Sequence, residues 1–171
     1  HVLEPSLQRT LKGKSLIDQQ NDNEPQPEFL TQVLDDNWSQ QNAESYDLVT
    51  IWHVLEHVPN PISMVKQAWQ LLKPGGWLSI EVPNDNDDLL HRSFAFANYY
   101  YMIEHLSYFT PKTLSEMIVR AVDKEPDQLY GYQRYGLFND IHWMHANSPL
   151  GDDPDFFPGT DRWWLEKMWR E

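Results

Sequence analysis

No cysteine occurs anywhere in the chain. Disulfides, thiolate-held metals and cysteine nucleophiles are therefore excluded, and any catalysis must use histidine, carboxylates, amides or a bound cofactor. Positive charge is also scarce. Thirteen Lys and Arg stand against 26 Asp and Glu, a formal net charge of −13, and a field of that sign repels phosphate backbones. Nucleic acid is not an expected partner. No apolar run reaches the roughly eighteen residues of a membrane span. The opening, His1-Val2-Leu3-Glu4-Pro5, has neither the basic flank nor the apolar stretch of a signal peptide. The expectation is a soluble, cytoplasmic protein without a membrane partner. Glycine is sparse too: there are seven, and the one adjacent pair, Gly75-Gly76, sits where a helix should stop. What the chain does have is 40% hydrophobic residues and eight Trp in 171 residues, enough for one domain with a packed core.

Local patterning divides the chain into alternating elements. Val2-Leu3-Glu4 followed by Pro5-Ser6 reads as a strand end running into a helix, since Pro is tolerated in a first helical turn and Ser caps one. Gln19 to Pro27 is a polar connector. Phe29 to Leu34 is a weak strand candidate, and Tyr46 to Trp52 carries the β-branched and aromatic residues of a buried strand. Asn60 can cap a helix beginning at Pro61, whose Val65, Ala68, Trp69 and Leu72 fall on one predicted buried face. Lys73-Pro74-Gly75-Gly76 should end that helix, and Trp77 to Val82 reads as the next strand. Strand, helix, strand is the parallel crossover unit. Residues 85–109 are polar and then aromatic, with Tyr99-Tyr100-Tyr101 at the centre, and are expected to form a lid or substrate-side insertion. Thr110 and Pro111 start a helix with Leu114, Met117, Ile118 and Ala121 on one face, and Leu129 to Tyr135 is a further strand candidate. The aromatic-rich stretch 136–171, with His142, Trp143 and Trp163-Trp164, is expected to pack over residues 1–135 as a C-terminal extension.

Three segments then combine. Tyr46-Asp47-Leu48-Val49-Thr50-Ile51-Trp52-His53-Val54-Leu55-Glu56-His57-Val58-Pro59-Asn60-Pro61 is followed by Leu71-Leu72-Lys73-Pro74-Gly75-Gly76 and by Ile80-Glu81-Val82-Pro83-Asn84. In order and spacing they closely resemble the middle of small-molecule class I S-adenosylmethionine-dependent methyltransferases, of the type that includes the ubiquinone-biosynthesis group. His105-Leu106-Ser107-Tyr108-Phe109-Thr110 with Thr113-Leu114 is similar to a later segment of the same family. The resemblance implies an α/β fold, a Rossmann-like sheet with helices on both faces, and the cofactor S-adenosylmethionine lying across the carboxyl ends of the strands. It implies methyl transfer to a small-molecule acceptor. It also implies a glycine-rich loop and a first, central strand ahead of Glu4; neither is in this chain. The expectation is a partial methyltransferase domain over 1–135, with its sheet completed by further sequence, a second copy or another partner.

Carried over from the family, Glu4 would accept hydrogen bonds from the ribose hydroxyls. Asp35 or Asp36 would lie near the adenine, with a solvated acidic turn as the alternative. His53 would face the cofactor. His57 and His105 are the candidate catalytic bases, because imidazole titrates near working pH; the alternative for each is a histidine that holds a loop by hydrogen bonds. Glu56, Asn84 and Tyr108 are substrate-side candidates.

Two rival functions stand beside this one. His53-Val54-Leu55-Glu56-His57 matches the His-x-x-Glu-His pattern of inverted zinc peptidases, which needs both histidines on one sustained helix. Some relatives use a divalent metal at a Glu-x-x-Glu-His stretch, but His53 replaces the first Glu and imidazole suits hard cations less than oxygen does; no metal is expected. The other rival is a non-catalytic remnant or interaction module that keeps the architecture without the glycine loop. The tyrosines and tryptophans read either as an aromatic cage or, more simply, as core and lid packing.

Overall fold

The computed structural model describes residues 2–3, 28–132 and 136–149. Glu4, the helix expected after it, residues 133–135 and the Trp163-Trp164 pair lie outside the described residues. Two compact units are formed, one from residues 1–50 and 63–79, the other from 51–62 and 80–171.

In the first unit, β1 (Val2–Leu3) pairs in parallel with β2 (Phe29–Leu30), Val2 opposite Phe29 and Leu3 opposite Leu30. Helix α1 (Asp36–Gln41) begins where Asp35 Oδ1 accepts the Trp38 amide at 2.8 Å, an N-cap that satisfies one of the orphan donors of the first turn. The buried Ser39 hydroxyl donates to Gln70 Oε1 at 3.1 Å. Strand β3 (Tyr46–Trp52) then pairs with β4 (Leu72–Glu81). Tyr46 N bonds to Leu71 O and His53 N to Glu81 O. Both partners advance together along the chain, so the ladder is parallel, as a helical crossover requires.

That crossover is α2 (Pro61–Gln70), on which Val65 and Ala68 are fully buried. Its predicted face is narrower than expected. Trp69 is exposed, and Leu72, though buried, already belongs to β4. Lys73-Pro74-Gly75-Gly76 lies within the span of β4, and the glycines are needed there. Gly75 has φ +84, and a Cβ on Gly76 would stand 3.1 Å from the carbonyl oxygens of Tyr46, Asp47 and Lys73. Strand β3 also departs from expectation: Ile51 is buried, but Leu48 and Trp52 are each 57% exposed. A parallel strand reads as a continuous apolar run because it is covered on both faces, and among the described residues β3 has β4 as its one strand neighbour.

In the second unit a single 3₁₀ turn, Leu55–His57, follows β3. Leu55 is fully buried, worth about 2 kcal/mol, and pins the turn. Two short helices occupy the predicted lid, α3 (Asp88–Arg92), capped by Asp87, and α4 (Phe94–Tyr100), capped by Ser93. They meet α6 (Leu137–Ala146) through a cluster of Leu89, Leu90, Phe96 and Trp143. The Phe96 and Trp143 rings are edge to face at 5.4 Å, and buried Ser93 donates to Trp143 O at 3.1 Å. Between them α5 (Pro111–Val122) carries Pro at its start and a Thr110/Thr113 capping box, ends on Asp123 at φ 54, and buries Leu114, Met117 and Ala121. Leu129 to Tyr132 is not a strand; its apolar side chains are exposed, so they supply no sheet face. No helix among the described residues is long and apolar enough to cross a membrane.

Candidate active site

Where β3 ends, His53 turns into the left-handed region at φ 53, a conformation that costs a residue with a side chain about 1 kcal/mol. Long-range contacts hold it there. Its amide donates to Glu81 O at 2.9 Å, and its Nε2 lies 2.7 Å from Glu81 Oε1, which also accepts the Tyr132 hydroxyl at 2.8 Å. A carboxylate only accepts, so His53 carries its hydrogen on Nε2. His53 Nδ1 is then 3.4 Å from Glu56 Oε1.

Glu56 is 2% exposed, and its carboxylate is the centre of the site. Oε1 lies 3.4 Å from His53 Nδ1 and 3.9 Å from His57 Nε2, while Oε2 is buried without a hydrogen-bond partner. A desolvated acceptor left unpaired costs about 1–3 kcal/mol, so a ligand donor that reached Oε2 would recover that loss. Segment 102–108 folds back over the turn. Leu106 N and Ser107 N both donate to Glu56 O, at 2.7 and 3.2 Å, and His57 Nδ1 lies 3.0 Å from Glu104 O. Because a carbonyl only accepts, His57 donates from Nδ1 and keeps the Nε2 lone pair for other work.

The same fold-back sets the His105 ring edge to face against His57 at 4.7 Å. Burial, and then the neighbouring His57, push the His105 pKa below its usual value, against a smaller opposing pull from Glu56 and Glu104. Its Nδ1 is buried without a hydrogen-bond partner. Tyr108 stands 5.5 Å from His105, ring to ring, and its hydroxyl bonds to both the amide and the carbonyl of Met102. Beside it the Tyr100 hydroxyl is buried and unpartnered, its pKa raised mainly by burial and then by Asp85; it remains a neutral phenol. Tyr100 packs against Phe96, Tyr101 and Tyr108, Tyr101 also against Tyr108, and Tyr99 against Phe96 and Trp143, which is lid packing rather than an open cage.

His53, Glu56, His57 and His105 thus come together, with Tyr108 behind them. Glu56, His57 and His105 each present a ligand atom within 4.8 Å of the others and could hold a metal ion. They could not do so as a zinc peptidase does. The pattern spans a left-handed residue and one 3₁₀ turn, so no sustained helix presents His53 and His57 on one face. Asp35, Asp36 and Asn84 make local bonds away from this cluster. Asp35 caps α1, Asp36 Oδ1 accepts Gln67 Nε2 at 2.8 Å, and Asn84 Oδ1 accepts the Asn86 amide in a tight turn. A cavity of about 450 Å³ runs along α5, lined by Pro111, Ser115, Val119, Arg120 and Leu129 among others; no predicted site residue among the described residues lines it. Glu81 and Tyr132 were not singled out from the sequence. A carboxylate at the end of a parallel strand was a usable signal for Glu81, since ligands gather at the carboxyl ends of such strands; Tyr132 had none.

A parallel ladder with a helical crossover, and polar groups gathered past the strand ends, is the Rossmann-like arrangement. The fold is shared with a proposed methyltransferase from Bacillus halodurans C-125, TM-score 0.57 at 18% identity over 84% of this chain and 61% of that one. It is shared too with a SAM-dependent methyltransferase from Archaeoglobus fulgidus, TM-score 0.55 at 15% identity over 80% of this chain and 55% of that one. The chain belongs to the methyltransferase domain family, whose model matches residues 3–121. It is 45% identical over 59 residues to the ubiquinone biosynthesis O-methyltransferase of Yersinia pestis (strain Pestoides F), a match covering 34% of this chain and 24% of that protein.

Proposed function

We propose that this domain transfers a methyl group from S-adenosylmethionine to a hydroxyl oxygen of a small molecule, with His57 as the proton acceptor. The observation that carries the reading is the pairing of His57 with buried Glu56, its Nδ1 committed to Glu104 O and its Nε2 left as the basic nitrogen. Family membership supports methyl transfer, and the name of the Yersinia relative supports oxygen as the acceptor.

The residues present suit such a ligand. A sulfonium is cationic, and the site gathers Glu56, with its unpartnered oxygen, beside aromatic rings. Glu4 would accept from the ribose, as the resemblance implies. Bound S-adenosylmethionine supplies an activated methyl group whose leaving group departs as a neutral thioether. His57 Nε2 would take the proton of the acceptor hydroxyl. Glu56 stabilises the imidazolium that results. His105, held toward its neutral form, adds no competing positive charge. What remains is alignment and exclusion of water, which the segment 102–108 folded over the turn supports.

The test is transfer of labelled methyl from S-adenosylmethionine to a panel of hydroxylated aromatic compounds, run with His57→Gln beside the unaltered chain. Loss of a general base lowers turnover by roughly 10²–10⁴-fold. Equal rates in the two proteins would contradict the role of His57. No transfer together with no cofactor binding would favour an interaction module. A second reading has Glu56, His57 and His105 hold a divalent cation; activity abolished by a chelator and restored by added metal would select it.

A further inference from the structure

We propose that Tyr108 is a positioning residue whose hydroxyl sets the tautomer of His57, a role that rests on the reading of His57 as proton acceptor. The argument begins with the ring that Tyr108 closes. Its hydroxyl accepts from Met102 N at 2.9 Å and donates to Met102 O at 3.0 Å, so both capacities go to a single backbone position. Met102 O also accepts His105 N at 3.2 Å. Residues 102–108 are thereby tied at their two ends.

Three backbone groups between those ends grip the catalytic turn. Glu104 O meets His57 Nδ1 at 3.0 Å, while Leu106 N and Ser107 N meet Glu56 O. The Glu104 carbonyl is the group that makes Nδ1 the donor. In water a neutral imidazole favours hydrogen on Nε2, the opposite arrangement, so the lock must be supplied by the protein. His57 is 43% exposed on its side chain, too open for packing to hold the ring. Removing the Tyr108 hydroxyl strands Met102 N, leaves Met102 O only its bond from His105 N, and frees the loop that carries Glu104. His57 then reverts toward the Nε2–H form, whose remaining lone pair faces Glu104 O and not the reaction. Tyr108 acts through that loop and does not itself touch the reacting atoms.

The experiment uses the full chain labelled with ¹⁵N and reads histidine tautomers from long-range proton–nitrogen spectra at a pH where imidazole is neutral. Unaltered protein shows His57 with Nδ1 protonated. In Tyr108→Phe that signature gives way to Nε2–H, and amide exchange at Leu106 and Ser107 quickens roughly tenfold. Retention of the Nδ1–H signature in a folded Tyr108→Phe protein overturns the proposal. So does an Nε2–H His57 in the unaltered protein, which needs no variant to fold. The readout is independent of turnover: failure of methyl transfer with the tautomer shift intact counts against the proposed reaction, not against the latch.

Discussion

Asp35 and Asp36, in one unit, and Glu56, in the other, are acidic groups put to opposite uses. The aspartates are exposed and engaged, one capping α1 and the other accepting a glutamine amide. Glu56 is buried, faced by two histidines, and keeps one oxygen without a hydrogen-bond partner. A carboxylate that already satisfies a helix end gains little by turning to a ligand, whereas a desolvated and half-satisfied one gains a great deal. Exposure and acidity alone do not mark a binding group; the unsatisfied oxygen does.

The sharpest way to break this contrast is Glu56→Gln. The change keeps size and leaves the backbone carbonyl that receives Leu106 and Ser107, so the fold should survive by circular dichroism while methyl transfer falls roughly 100-fold. Full activity would put Glu56 among the structural carboxylates. Next in size is Asp35→Ala, expected to cost about 1 kcal/mol in chemical denaturation through the lost cap. The affinity for S-adenosylhomocysteine should not move, and a clear drop would restore Asp35 as a cofactor contact. Smaller still is a pH effect at His105. Its folded pKa lies below the unfolded value of about 6.5, so the unfolded chain takes up the proton first as pH falls. Stability should therefore hold above about pH 6.5 and decline below it toward the folded pKa, and His105→Gln should flatten that part of the melting curve's pH dependence. An unchanged slope would mean that His105 is not held neutral.

Local chemistry made some of this readable in advance. Pro61 opens α2 and Thr110-Pro111 opens α5, each because a neighbour within a few residues dictates it; Gly75-Gly76, expected as a helix stop, lies in β4, where Gly76 is required by the distant carbonyls of Tyr46 and Asp47 as well as that of Lys73. The grouping of His53, Glu56 and His57 was legible because they share one short stretch. Exposure of Leu48 and Trp52 was not legible, since a strand's composition reports the cover it is suited to rather than the cover it has. Nor were the bonds that give the site its chemistry. Glu81 reaches His53 across 28 residues, Glu104 reaches His57 across 47, and Tyr132 reaches Glu81 across 51. No periodicity encodes such pairs. The left-handed turn at His53, which aims that side chain, follows from the same distant partners.

The central claim, that this chain is built to use S-adenosylmethionine, is tested most directly by calorimetric titration of S-adenosylhomocysteine into it, repeated with Glu4→Ala. The account predicts one binding event per chain, weakened at least roughly tenfold when the ribose acceptor is removed. Absence of any binding heat, or an affinity indifferent to Glu4, would contradict it.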